Sequence, residues 1–458
     1  MPYRKLTDDE RNALLAAGCT ASNWDDVQVE DGFDPTRVVR ATFSGTVRIG
    51  KQTGSVDVEG IDKPTGIYDA TIVDCDIGRN ARIANVRVHI ANYVIGDNAL
   101  IEDVGKMVTK PGATFGNGVE VEVLNEGGGR EVTLFNQLSA QFAYLMCLHQ
   151  FQEELVERLT AIAVAFTEKE RSDRGKVGQG ATVCSVDHLE DINVGEQARL
   201  IGASRLVNGT VLSAADAPTL IGADVQAEHF IVAEGTYVTG AAILTNCFVG
   251  QGCQVGRQFS AENSLLFANC EAFHGEAVAL FAGPYTVTHH KSTLLIAGLM
   301  SFYNAGSGTN QSNHMYKLGP VHEGKLERGC KTGSFSYMMW PCLVGPFSVV
   351  LGKHKRHFDT SDFPFSMIDA NPQGHCRMVP GLNLTTVGTV RDGAKWPARD
   401  RRSGAVKRDR ISFDVLSPFT VGRMIKGSQR LKQLAEQTDK NVDEVNINGA
   451  IVKRVMLR

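Results

Sequence analysis

The signals that would place this chain in most functional classes are missing. Its ten cysteines contain no Cys-x-x-Cys pair. That disfavours a zinc cluster and leaves reduced, small, buried side chains as the expectation. Apolar runs are short. Leu294-Leu-Ile-Ala-Gly-Leu-Met300 falls far below the roughly 20 residues a membrane span needs. Neither sign of charge dominates, with 47 Lys and Arg against 51 Asp and Glu, so nothing suggests a surface built for nucleic acid. The opening Met1-Pro-Tyr-Arg-Lys-Leu runs straight into a charged helix and does not read as a secretory signal. A cytoplasmic protein with no membrane and no nucleic-acid partner is expected.

What is present is a period of six. Val249, Val255, Ala261, Phe267, Phe273 and Ala279 stand at six-residue intervals, as do Val194, Leu200, Leu206 and Leu212. Val232, Val238 and Leu244 repeat the step one residue out of phase with the run that follows. Ile77, Ile83, Ile95 and Ile101 share another register, with His89 in one slot, and Leu326, Thr332, Met338, Val344 and Val350 form a later one. Neither a 3.6-residue helix nor an alternating strand sustains such a step. Three short strands joined by corners do: each hexad makes one flat face, and three faces close one triangular coil. The position four residues later also points inward (Ala81, Ala99, Cys253, Phe259, Leu265, Ala277), and Gly, Asn and Asp suit the corners because they tolerate positive φ. The expected fold class is mainly β, a left-handed parallel β-helix with a helical insertion and a C-terminal helical segment. An ordinary sandwich of short strands has no reason to hold the step from Val249 to Ala279.

The rest of the chain divides around these repeats. Residues 1–40 form an N-terminal helical and irregular segment, in which Thr7 caps a helix over 6–18, Glu10 completes the capping box and Gly18 closes it. The first β-helix portion covers 41–128. A helical insertion covers 129–175, with Leu134, Leu138, Phe142, Leu145 and Leu148 on one face and His149 as a packing histidine. The main β-helix covers 176–380 and contains a loop over 284–325 where the hexad lapses. Residues 381–458 supply a linker, including the basic stretch 395–410, and a helical tail.

The hexad resembles the hexapeptide-repeat superfamily, whose members form left-handed β-helices and are commonly trimeric. Phe363-Pro-Phe-Ser-Met-Ile-Asp-Ala-Asn-Pro372 resembles the aromatic–proline exit segment of many acyltransferases of that group, with Asp369-Ala370 where Gly-Gly or Ala-Gly is usual. Phe43–Gly50, Phe302–Lys317, Lys331–Tyr337 and Lys395-Trp-Pro-Ala-Arg-Asp400 are similar to a Bacteroidetes family known as DUF4954, whose members are often labelled UDP-N-acetylglucosamine pyrophosphorylases. The sequence does not support that label. Gly306-Ser-Gly-Thr-Asn-Gln-Ser-Asn-His-Met-Tyr-Lys317 only echoes the GxGTRxxxxxPK loop of such enzymes: Asn310 replaces the Arg, the Pro is missing, and no nucleotide-binding α/β domain follows. Kinship remains with the acyltransferase half of the bifunctional enzyme of that name.

The resemblance implies acyl transfer from a thioester, with acyl-CoA as co-substrate and no tightly bound cofactor, to a sugar or nucleotide-sugar, in a homo-oligomer, most simply a trimer. Such chemistry needs a His to take a proton and N–H groups or an Asn to steady an oxyanion. The polar lapse in the hexad supplies the types. His290 or His314 is the expected base and His274, beside a coil corner, the alternate or a structural residue. Asn304, Asn310, Gln311 and Asn313 are polar anchors, and Lys291 or Lys317 binds phosphate. Two alternatives stay open. One is a non-catalytic nucleotide-sugar scaffold. The other is a metal-dependent enzyme of the β-helical carbonic-anhydrase type, with ligands from His289, His290, His314 and His322, although that family's metal-site spacing is not recognisable.

Overall fold

Aliphatic side chains at near-regular intervals wind the chain into a parallel β-solenoid. The computed structural model describes residues 3–457 apart from 59, 314–316, 318 and 320–322. Each coil contributes three short strand segments, and each segment pairs in parallel with its counterpart one coil on. Ile243–Val249 pairs with Ser260–Leu266, and Gln254–Gly256 with Glu271–Phe273. One such column runs without a break from Thr20 to His354. The three-sided coil is consistent with the left-handed β-helix expected. No helix among the described residues is long and apolar enough to cross a membrane.

The coil length is not constant, and this corrects part of the hexad. Ile83 pairs with Ile101, a step of three full hexads, whereas Leu244 pairs with Ala261, one residue short of that. The missing residue is absorbed within one face, where the register shifts between Val86 and His89 against Val104 and Lys106; at the corner that follows, Asp191, Asn208, His229, Asn246 and Asn263 stack with φ between 46° and 56°. A left-handed residue turns the chain in a tighter bend, and Asn and Asp adopt that region at low cost. With the shorter coil the inward positions slip by one. Val211, Leu266 and Ala272 fill the axial core, while Leu212, Leu265, Phe267 and Phe273, expected inside, face outward.

Outward does not mean exposed for Phe267. It is fully buried with Ile231, Phe248, Leu265 and Phe281 beneath the helical insertion. The insertion consists of α2 (Ala140–Leu148) and α3 (Glu153–Glu170); α1 is the N-terminal helix Asp8–Ala16. In α1, Thr7 accepts from the Glu10 backbone and Glu10 accepts from the Thr7 backbone, as its sequence demands. His149 forms the C-cap of α2 rather than part of its packed stripe.

The described strands within 284–325 belong to the coil, although the step from Gly298 to Gly324 is longer than that from Leu244 to Ala261. Val287–Thr288, Leu294–Ile296, Gly298–Met300, Asn304–Ala305 and Asn310–Gln311 all pair in parallel with their neighbours. The hexad weakens there because polar side chains join Leu295, Met300 and Leu326 on the axis. Gln311 donates to Tyr303 Oη at 2.9 Å, and Thr332 meets both Tyr303 and Thr309 at 2.8 Å. A neighbouring corner carries aromatics in place of Asn. Tyr285, Phe302, Phe347 and Phe365 have φ of 49–61°, and the Phe347 and Phe365 rings stack at 5.1 Å. Where Gly329 supplies no ring, the Arg328 guanidinium sits 4.3 Å from the Phe302 ring.

This corner is covered by the C-terminal region. Trp396, in α4 (Val387–Ala398), packs on Phe302 at 4.6 Å, and its carbonyl accepts from Tyr285 Oη. The basic stretch that follows is a strap laid along the solenoid. Asp409 is buried and accepts from the backbone N–H groups of Ala140 and Ala268 at 2.7 and 2.8 Å. Arg402, its side chain 5% exposed, pairs with Asp400, and Arg408 pairs with Glu234. The tail continues as α5 (Pro418–Gln437) and ends in the hairpin Glu444–Ile447 and Ala450–Lys453, beside the exit strand pair Met367–Ala370 and Cys376–Val379. All ten cysteines but Cys184 are buried.

Because Phe267 joins insertion to solenoid without lining the axis, its truncation separates the two. Phe267→Ala is expected to cost about 3–5 kcal/mol, with faster hydrogen exchange across α2 and α3 and unchanged protection in the axial ladder. Loss of protection spread evenly over both contradicts this division.

Candidate functional site

Three successive corners of the solenoid stack to form an open cleft of about 540 Å³, lined by Arg257, Glu271, Phe273, His274, His289, His290 and Lys291. Register creates it. Ala272 pairs with Thr288, so the next residues outward, Phe273 and His289, lie over one another with ring centroids 5.6 Å apart and planes 27° from parallel. Arg257, from the coil before, places its guanidinium 4.9 Å from the Phe273 ring. The column therefore reads guanidinium, phenyl, imidazole. His274 occupies the corner in the left-handed region (φ 55°), and the following Gly275 has φ 99° where a Cβ would come within 2.5 Å of Thr293 O. Only glycine lets these two coils approach so closely.

At the floor of the cleft Glu271 hydrogen-bonds His289 Nε2 through Oε2 and accepts from Arg401 Nη1 at 2.5 Å through Oε1. Glu271 is 18% exposed and His289 43%, so the carboxylate is sheltered and the imidazole faces solvent. The hydrogen bond from His289, against burial and with the Arg401 charge assisting, holds the Glu271 carboxyl down at about 2. Its Nε2 engaged, His289 keeps Nδ1 for proton exchange. A carboxylate fixing one imidazole nitrogen while the other meets a reactant is the arrangement a general base requires. His290 lies 6.5 Å from His289 by ring centroids. With Glu271 already paired, Arg257 and Lys291 leave the cleft net positive and suited to an anionic ligand.

The structure gathers some of the expected site residues and disperses others. His274, His290 and Lys291 line the cleft, as does His289, expected only as a metal ligand. Gln311 and Asn313 are not anchors for a substrate. Gln311 is wholly buried on the axis, and Asn313 brackets Trp340, accepting from its N–H at 2.8 Å and donating to its carbonyl at 3.2 Å. Asn310 is half-buried on another face, where Ser312 Oγ donates to it at 2.8 Å. Asn304 is exposed on the Glu271 column but two coils further on, and Lys317 is exposed away from the cleft. His314 and His322 lie outside the described residues. Among the described residues no three His, Cys, Asp or Glu side chains converge to hold a metal ion.

Glu271, Arg257, Phe273 and Arg401 were not anticipated. The available signal was the interval between Glu271 and His289, which is close to one coil. Another perturbed carboxyl, Glu327, is pushed up to about 7 by burial. It sits at the seam with α5, where Arg423 donates to it at 3.1 Å and to Asp362 at 2.7 Å, and it lines no part of the cleft.

A family model described as a domain of unknown function (DUF4954) matches residues 3–435. An uncharacterized protein of Treponema pallidum (strain Nichols) is 26% identical over 443 residues, covering 92% of this chain and 60% of the relative. The chain thus spans about 60% of the length of the curated relative it matches.

The Glu271 carboxyl titrates below its ordinary value of 4.5, so its charge stabilises the fold above pH 4.5 and that contribution disappears as pH falls through about 2. Glu271→Gln is expected to lower stability at pH 7 by about 2 kcal/mol. The gap to wild type should close between those two pH values in urea titrations. A gap that does not change over that range contradicts the assignment.

Proposed function

Because the chain belongs to the DUF4954 family, whose description specifies no activity, we propose a function from the cleft itself: acyl transfer from a thioester donor such as acyl-CoA to a hydroxyl or amine of a sugar or nucleotide-sugar. The observation that carries the proposal is the Glu271–His289 pair, a sheltered carboxylate orienting a solvent-facing imidazole. As the acceptor oxygen or nitrogen attacks the thioester carbonyl, its proton passes to His289 Nδ1. The C–S bond then breaks, and the departing sulfur takes the proton and leaves as the free thiol. Arg257 and Lys291 hold phosphate oxygens of donor or acceptor. His274 and His290 flank the reacting centre and donate hydrogen bonds to it.

Placement in the hexapeptide-repeat superfamily, a trimer with a donor groove between subunits, and a cytoplasmic setting belong to the same proposal. The metal-dependent alternative draws two of its four ligands from outside the described residues, and Glu271 already engages His289 Nε2. The non-catalytic nucleotide-sugar scaffold is favoured by one feature, the openness of the cleft, and is separated by assay.

Purified protein incubated with acetyl-CoA and UDP-N-acetylglucosamine, then with wider donor and acceptor panels, is expected to release free thiol. His289→Ala should lower that rate by about 10²–10⁴-fold. Ligand-induced stabilisation without thiol release identifies a scaffold, and turnover unchanged in His289→Ala removes the proposed base.

A further inference from the structure

Glu271 is held on one oxygen by the cleft and on the other by a residue that lies 130 positions away in sequence and lines no part of the cleft. Arg401 belongs to the strap, and its position is over-determined. Its Nε donates to Gly252 O at 2.7 Å, its Nη2 to Asn269 O at 3.0 Å, and its backbone N–H to Asn269 Oδ1 at 2.9 Å. The neighbouring Asp400 accepts from Asn269 Nδ2 at 3.0 Å and is tied to the buried Arg402. The solenoid surface is shaped to receive this segment. Gly252 has φ 68°, and a Cβ there would stand 3.1 Å from the Arg401 Cβ and 3.0 Å from Asn269 Oδ1. The segment just before it converges on the same place, since Lys395-Trp-Pro-Ala-Arg-Asp400 delivers Trp396 to the aromatic corner and Asp400 to Asn269.

We propose that Arg401 is a positioning residue, and that seating of the C-terminal strap completes the site. Its guanidinium locks the Glu271 carboxylate in the orientation that grips His289. A planar fork with several fixed donors restricts a carboxylate far more than an ammonium does. Without it the Glu271 side chain is free to swing into the open cleft, and the imidazole loses its partner. Removing the strap then disables a cleft whose lining residues are all still present. The proposal rests on the reading of this cleft as the functional site, but its consequence is visible with no substrate at all.

The test is a double-mutant cycle read by the ¹⁵N chemical shifts of the His289 ring in the full chain at fixed pH. The charged and titratable groups that share the cleft, Arg257, His274, His290 and Lys291, are kept in every variant. In the wild-type background Glu271→Gln is expected to move the His289 Nε2 resonance, because the ring loses its carboxylate partner. In an Arg401→Gln background the same change should move it by less than half as much. Equal movement in both backgrounds overturns the proposal, because Glu271 then finds His289 unaided. If Arg401→Gln does not fold, Arg401→Lys is read in its place. It keeps the charge but cannot satisfy Gly252, Asn269 and Glu271 together, so coupling should again fall by at least half, and undiminished coupling overturns the proposal. Failure of thiol release leaves this cycle intact, whereas failure of the cycle leaves acyl transfer untouched, so the two are tested separately.

Discussion

In-register stacking of coils is the constraint on which everything else in this molecule depends. Backbone hydrogen bonds fix each strand segment about 4.8 Å above the one before, so a side chain's neighbour is set by position in the coil and not by proximity in sequence. Inward columns become the axial core, from Ile83 and Ile101 to Leu244 and Ala261. Outward columns become chemistry. Arg257, Phe273 and His289 form a stack only because three corners lie over one another. A shift of one residue in any of those coils takes the cleft apart while leaving the composition of its segment unchanged.

The same constraint explains what was readable in the sequence. Aliphatic residues repeat on the axis because each must meet the next, and the six-residue step that follows revealed the solenoid. Helix α1 was readable because its capping box is local, from Thr7 to Glu10. The phase was less secure. A register shift like that between Val86 and His89 shortens the later coils by one residue, which turns Phe267 from core to outer face without breaking an apolar-looking pattern. Between Thr288 and Thr332 polar side chains share the axis with apolar ones, so Gln311 reads as a loop residue although it is wholly buried. The histidine-rich turn was visible as a cluster of reactive types, but Glu271 was not. Coil length varies too much to project a partner across it, the coil from Ala261 to Ala277 being markedly shorter than the one from Leu206 to Ala227.

Long-range docking was the least legible part. The strap looks like a solvated basic linker because its partners, Glu234, Asn269 and Glu271, lie more than a hundred residues upstream. In the folded chain Arg401 and Arg408 pair with solenoid carboxylates, while Arg402 pairs with Asp400 within the strap. Asp409 joins the strap to both the helical insertion and the coil at Ala268, and Arg401 joins it to the carboxylate that orients His289. Elements separate in sequence thus meet at one edge, and the cleft opens beside that junction.

The central claim is that the cleft over Glu271 and His289 is where this protein meets its ligand. Hydrogen exchange with and without acetyl-CoA and UDP-N-acetylglucosamine tests it most directly. The account predicts slower exchange in the turns around Arg257, His274 and His290 and in the strap around Arg401. Slowing confined to another part of the molecule, such as the apolar pocket between Phe363, Phe365 and Leu431, with these turns unaffected, would contradict it.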